Sequence, residues 1–163
     1  DSICDDALLS TANIFLEQCK EKNVSVHLPE DFVIADAFSA EANAKVVSAS
    51  EGIPDGWRGM DIGPKTIEHW ALLLNKSSTI FWNGPMGVFE ISKFAKGTEA
   101  LARELSRMTH PTTIVGCGYS VSAITKIHLQ KAFSHLSTGG GAVLEFIEYG
   151  HLPGIDALSE AVS

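Results

Sequence analysis

From about residue 65 onward, helical and strand-like segments alternate, and each strand-like segment runs into a glycine-bearing loop. That alternation constrains the fold more than any other feature. Strands joined through helices lie parallel in one sheet, and a parallel sheet must be covered on both faces. The spacing predicts a helix at about 65–76, a strand at Thr79–Trp82, a helix near 92–108 and a strand at Thr112–Val115. A helix near 120–131, a strand at 134–136 and helices near 141–148 and 155–161 follow. Upstream, Leu8, Leu9, Ala12, Phe15, Leu16 and Cys19 recur at helical spacing within 6–22. Residues 24–28 and 32–35 are short β-rich runs punctuated by Pro29. Residues 36–57 lack periodicity, apart from a candidate strand at 45–48 and the turn signal Ile53-Pro54-Asp55-Gly56. The expected fold is a three-layer, Rossmann-like α/β domain spanning residues 1–163, with a parallel sheet and helices on both faces.

A chain of 163 residues can bury a sizeable core. Its net charge of −8 argues against a nucleic-acid surface, because neutralising phosphates needs clustered Lys and Arg. Small anions are still within reach of helix ends and backbone amides. No long apolar run or signal-like start points to a membrane. Cys4, Cys19 and Cys117 have no metal-ligand spacing and read as reduced intracellular thiols. No His/Asp/Glu set has such spacing either, so no metal ligand is assigned. Because the chain starts at Asp1 without Met, it is expected to be a piece of a longer protein.

Ligands of parallel sheets bind where loops leave the carboxyl ends of the strands. Here those loops are residues 83–90, 116–120 and 137–141, all containing glycine. Ser137-Thr138-Gly139-Gly140-Gly141-Ala142 ends a strand and opens a helix, so its amides and the helix dipole suit an anion; a plain tight turn would look the same. Val115-Gly116-Cys117-Gly118-Tyr119-Ser120 repeats the form but does not complete G-x-G-x-x-G, and alone it reads as a turn capped by Ser120. In Trp82-Asn83-Gly84-Pro85-Met86-Gly87-Val88-Phe89-Glu90, the Asn-Gly-Pro forces a sharp turn. Glu90 can either accept from a sugar's hydroxyls or sit near a helix N-terminus. His135 reads as a buried, hydrogen-bonded side chain. Ser137 and Thr138 have no visible base partner, which leaves acyl transfer unsupported.

Taken together, these segments resemble phosphoglycerate kinase, in order and over nearly the whole chain. The matching residues are Leu28-Pro29 with Asp31-Phe32-Val33; Gly59-Met60-Asp61-Ile62-Gly63-Pro64-Lys65-Thr66; Trp82 through Glu90; Phe94 with Gly97-Thr98; Ser134 through Gly141; and Leu152-Pro153-Gly154-Ile155-Asp156-Ala157-Leu158. The resemblance implies the C-terminal, nucleotide-binding portion of such an enzyme, lacking its first strands. It implies reversible phosphoryl transfer between 1,3-bisphosphoglycerate and ADP, giving 3-phosphoglycerate and ATP with Mg2+. The glycerate would be held by an N-terminal domain outside this chain. By the same resemblance, Gly59 lies in the nucleotide pocket, Glu90 accepts from the ribose and Asn83 sits near the phosphates. Gly116, Cys117, Gly118 and Ser120 approach the phosphates. Gly139, Gly140 and Gly141 present amides to the transferring group, with Gly118 and Gly140 as the catalytic positions. A monomer in the cytoplasm is expected, or in a plastid or other organelle.

One motif departs from the family. Where the family has three glycines, Asp and then Ser or Thr, this chain has Gly116-Cys117-Gly118-Tyr119-Ser120. The replaced carboxylate is the family's Mg-nucleotide ligand, and a neutral Tyr119 is no substitute for a hard anionic oxygen. The family's Gly-Gly-Ala-Lys segment with its phosphate-binding lysines is also absent. This portion alone is therefore not expected to be active, and a non-catalytic nucleotide-binding or scaffold module is the competing expectation. An unrelated dinucleotide-binding domain is the third, disfavoured by the incomplete fingerprint at 116–120.

Overall fold

A computed structural model describes residues 6–160. Six helices are α1 (Leu9–Glu21), α2 (Pro64–Leu74), α3 (Lys96–Arg107), α4 (Gly118–Lys126), α5 (Gly140–Tyr149) and α6 (Pro153–Glu160). Strands β1 (Asp31–Ala35), β2 (Ala44–Ser48) and β3 (Arg58–Ile62) form one sheet, and β4 (Thr79–Trp82), β5 (Thr112–Val115) and β6 (His135–Leu136) form another. Cys4 and the last residue of the helix expected at 155–161 lie outside the described residues.

The second sheet is the expected parallel one, in the order β4-β5-β6. Alternation along its strands sends Ile80, Trp82 and Val115 to one face, where Ala102 and Leu105 of α3, Ile124 of α4 and Phe133 close a core. Each large apolar side chain taken out of water there contributes about 1.5–3 kcal/mol. Phe81 and Ile114 point the other way, toward Val143 and Phe146 of α5 and Ile155 of α6, across a cavity of about 570 Å³. Gly150 ends α5 in the left-handed conformation (φ 75°) that a Cβ would disfavour.

The first sheet is antiparallel, in the order β2-β1-β3, with a bulge between Val33 and Ile34. Its core gathers Ala35, Ala42, Met60 and Phe94. A buried carboxylate joins this sheet to α2. Asp31 accepts from the amides of Thr66 (2.9 Å) and Lys65 (3.1 Å) and from the Thr66 hydroxyl (2.7 Å). In this way it caps a helix that starts with Pro64 more than thirty residues away. Burial pulls the Asp31 pKa upward, but the Thr66 and Lys65 donors outweigh it and hold the carboxyl below its ordinary value.

Several expectations need correction. Residues 24–28 join no ladder among the described residues, and Val24, Val26 and Leu28 are exposed. The helix expected near 92–108 breaks at Ala95, because Phe94 turns fully inward on a 3₁₀ turn, Ser92–Phe94, before α3 begins. The helix expected through 131 stops at Lys126, where His128 adopts a left-handed φ of 59°. His135 is exposed rather than buried, since β6 is an edge strand only two residues long. β3 had no counterpart in the sequence reading.

Candidate functional site

Of the three loops at the carboxyl ends of β4, β5 and β6, the middle one touches both of the others. The amide of Gly84, in the first loop, donates to the Ser120 hydroxyl of the second at 3.0 Å. The second and third loops meet at Gly140, where an added Cβ would lie 2.9 Å from the Gly116 carbonyl oxygen. A Cβ on Gly118 would lie 3.6 Å from the Thr138 carbonyl. The helices that leave these loops, α4 and α5, both start without a side-chain cap. Their first-turn amides therefore lack intrahelical acceptors, and both positive dipole ends lie at the junction.

The glycines divide by what surrounds them. Gly116 is required by packing, because a Cβ there would press into the Phe81 ring at 2.6 Å. Gly140 is required by the Gly116 carbonyl. Gly139 meets only ordinary contacts, and Gly141 has nothing within 4 Å. Interior packing thus accounts for two of these glycines and leaves Gly118, Gly139 and Gly141 without a steric reason of their own. Cys117 sits at φ −128°, a conformation open to any residue, so its side chain causes no strain.

Ser120 is fully buried, with its oxygen engaged by Gly84. Its hydroxyl joins two loops and does not face outward. Glu90 is exposed and lines a hollow of about 490 Å³ with Phe38, Pro85, Val88, Phe89 and Tyr119. Tyr119 is 67% exposed there, so it stands at the mouth of the hollow rather than in the core. Gly59 lines a neighbouring hollow of about 440 Å³ with Phe32, Met60 and Ile62. Pro85, Gly87 and Val88 wall both. Asn83 is exposed immediately after β4. Residues 139–141 border neither hollow; they adjoin through Gly116 and Gly118.

Sequence reasoning missed what fixes the 83–90 loop. Alternate amides turn inward: Gly84 to Ser120 Oγ, Met86 to Thr98 Oγ1 (2.9 Å) and Val88 to the Met60 carbonyl (2.9 Å). Beneath the loop, buried Asp61 accepts from the amides of Gly97 (2.7 Å) and Ile62 (2.9 Å). Burial raises its pKa to about 6 against the opposing pull of those two amides. The only sequence signal was that Asp61 and Gly97-Thr98 fell within motif stretches.

Among the described residues, no three His, Cys, Asp or Glu side chains form a group able to hold a metal ion. Glu90 is the single carboxylate lining its hollow. Nor is any helix among them long and apolar enough to cross a membrane.

The family model described as phosphoglycerate kinase matches residues 1–150. A cytosolic phosphoglycerate kinase of Nicotiana tabacum is 51% identical over 162 residues, covering 98% of this chain and 40% of the relative. The chloroplastic phosphoglycerate kinase 2 of Arabidopsis thaliana is 49% identical, with 98% and 34% covered. Phosphoglycerate kinase from Coxiella burnetii superposes with a TM-score of 0.88 at 42% identity, over 96% of this chain and 40% of that one. The Pyrococcus horikoshii enzyme superposes at 0.75 with 29% identity, over 94% and 37%. The chain spans about two fifths of the length of most of the relatives it matches.

Proposed function

The chain belongs to the phosphoglycerate kinase family, and from that premise we propose that it is the part that holds the adenine nucleotide during phosphoryl transfer between 1,3-bisphosphoglycerate and ADP. The observation that carries this reading is the meeting of two helix N-termini without side-chain caps, α4 and α5, with Tyr119 of α4 lining the hollow that contains Glu90. Phosphoryl transfer needs little covalent chemistry from a protein; it needs positioning and stabilisation of charge on the transferring oxygens. The turns 116–118 and 139–141 serve the phosphates through the amides left open once Gly116 has donated to the Trp82 carbonyl (2.9 Å) and Gly139 to Ser137 Oγ (3.3 Å), with Gly118 and Gly140 nearest the transferred group. Glu90 accepts from the ribose hydroxyls, Gly59 lies beside the base and Asn83 beside the phosphates. Ser120 acts through Gly84, holding the two loops together.

Mg2+ would reach this site on the nucleotide, and it would supply charge neutralisation. Among the described residues there is no His, Cys, Asp and Glu cluster to hold it. The glycerate substrate would be held by a separate N-terminal domain. Relatives named cytosolic and chloroplastic make the cytoplasm the first expectation and a plastid the second.

A second reading rests on Tyr119, exposed at the mouth of the Glu90 hollow. In it the protein binds nucleotide as a module without turnover. A coupled assay on the full polypeptide separates the two: ordinary turnover supports the enzyme, and nucleotide binding without turnover supports the module. Tyr119→Asp should strengthen ADP binding in Mg2+ but not in chelator. An unchanged titration in both would overturn the account of Tyr119.

A further inference from the structure

We propose that Asp61 is a positioning residue for the nucleotide: its buried carboxylate clamps the 83–90 loop to the start of α3 and so holds Glu90 and Asn83 in place. The inference rests on the reading above for its ligand, but its geometry is independent of it.

The carboxylate lies between two glycines from different elements. A Cβ on Gly87 would collide with Asp61 Oδ1 and come within 2.7 Å of the Met60 carbonyl. A Cβ on Gly97 would collide with the same carboxylate oxygen and with the Ile62 side chain. The loop and the α3 N-terminus thus close on Asp61 at distances only glycine allows. One oxygen takes the Gly97 amide, the other the Ile62 amide. One residue further along, Thr98 takes the Met86 amide, so α3 also holds the loop directly, one residue before Gly87. Moving α3 or the carboxylate therefore moves the loop, and Glu90 ends that loop.

The clamp depends on charge. Asp61 of β3 lies against the first turn of α3, where a carboxylate is stabilised by the positive end of the helix dipole, and bonds to a charged acceptor are stronger than neutral ones. Charged side chains on the elements packed around it are Asp31 on β1, Arg58 on β3, Lys96, Glu99, Arg103, Glu104 and Arg107 on α3, and Glu90 on the loop. The hydrogen bonds to the Asp61 carboxylate come from the two amides. Its pKa, raised by burial to about 6, agrees with a carboxylate that protonates in mild acid.

The test compares the full protein with Asp61→Asn and Gly87→Ala by ADP titration from pH 5 to 8 and by amide hydrogen exchange without ligand. Asp61→Asn should weaken ADP binding about tenfold at pH 7.5, the equivalent of one charge-assisted bond. The gap from wild type should close toward pH 5, where wild-type Asp61 is itself protonated; ADP's own titration is common to both proteins. Exchange at Gly97, Met86 and Val88 should quicken in Asp61→Asn while Thr113 and Val115 in the parallel sheet stay protected. Gly87→Ala should reproduce the exchange change with Asp61 intact. Equal affinity at every pH overturns the proposal, as does faster exchange across the whole chain in place of these amides. If wild type binds no ADP at any pH, the functional reading falls, and the exchange result alone decides the clamp.

Discussion

Replacing Gly140 and Gly141 by alanine, one at a time, should move stability and ligand binding in opposite directions. At Gly140 the new methyl would lie 2.9 Å from the Gly116 carbonyl oxygen, a contact that backbone must yield to. Overpacking of that kind costs about 1–3 kcal/mol. At Gly141 the methyl meets nothing within 4 Å. The residue is helical in α5, so alanine there should add up to ~1 kcal/mol through helix propensity. Since about 1 kcal/mol corresponds to roughly 2–4 °C in a chain of this size, thermal unfolding should place Gly140→Ala below wild type and Gly141→Ala at or slightly above it. Nucleotide binding should tell a different story. A Cβ in the first turn tilts toward the helix N-terminus, into the space a phosphate would occupy. Losing one hydrogen bond to a charged group costs about 1.5–3 kcal/mol, so Gly141→Ala should weaken ADP binding roughly tenfold to a hundredfold despite its stable fold. Calorimetric titration beside the melting curves reads both effects. Undiminished ADP affinity in folded Gly141→Ala would refute the idea that a phosphate approaches these amides.

Ser120→Ala should cost about 1–3 kcal/mol in urea unfolding, because it strands the buried Gly84 amide without an acceptor; an unchanged midpoint would remove the tie between the two loops. The two buried aspartates should respond to pH with opposite signs. Asp31, with its pKa lowered, stabilises the fold above the ordinary aspartate value of 3.8 and loses that contribution as pH falls through its folded value. Asp61, raised to about 6, stabilises most below 3.8, and its contribution is lost as pH rises through 6, a span of about 3 kcal/mol. Melting curves should therefore show the deficit of Asp31→Asn shrinking in acid, and Asp61→Asn gaining on wild type between pH 4 and 7; parallel curves for either variant would contradict its assignment.

The parallel half of the fold was legible because its strands are apolar runs and its helices carry a regular apolar stripe. Ile80, Trp82 and Val115 announce a buried face, and α3 presents Leu101, Ala102 and Leu105 to it. The antiparallel half was harder to see. β3 contains Gly59 and Asp61, two residue types that strands disfavour, and only tertiary contacts explain them: Asp61 is satisfied by an amide 36 positions away. The loops of the site were marked by their glycines. Which glycines serve packing and which leave room for a ligand depends on Phe81 and on the Gly116 carbonyl, neither of which is adjacent in sequence. Ser120 was assigned to a phosphate from its place in a motif, and the structure turns its hydroxyl inward. Its neighbour Tyr119 stands exposed beside Glu90, an arrangement that spacing alone could not reveal.

The most direct measurement is an NMR titration of the protein with ADP, following backbone amides residue by residue. The largest shifts should fall on residues 116–120 and 139–141 and on the loop from Asn83 to Glu90. Shifts concentrated instead around Phe81, Phe146 and Ile155, on the opposite face of the sheet, would contradict the nucleotide reading.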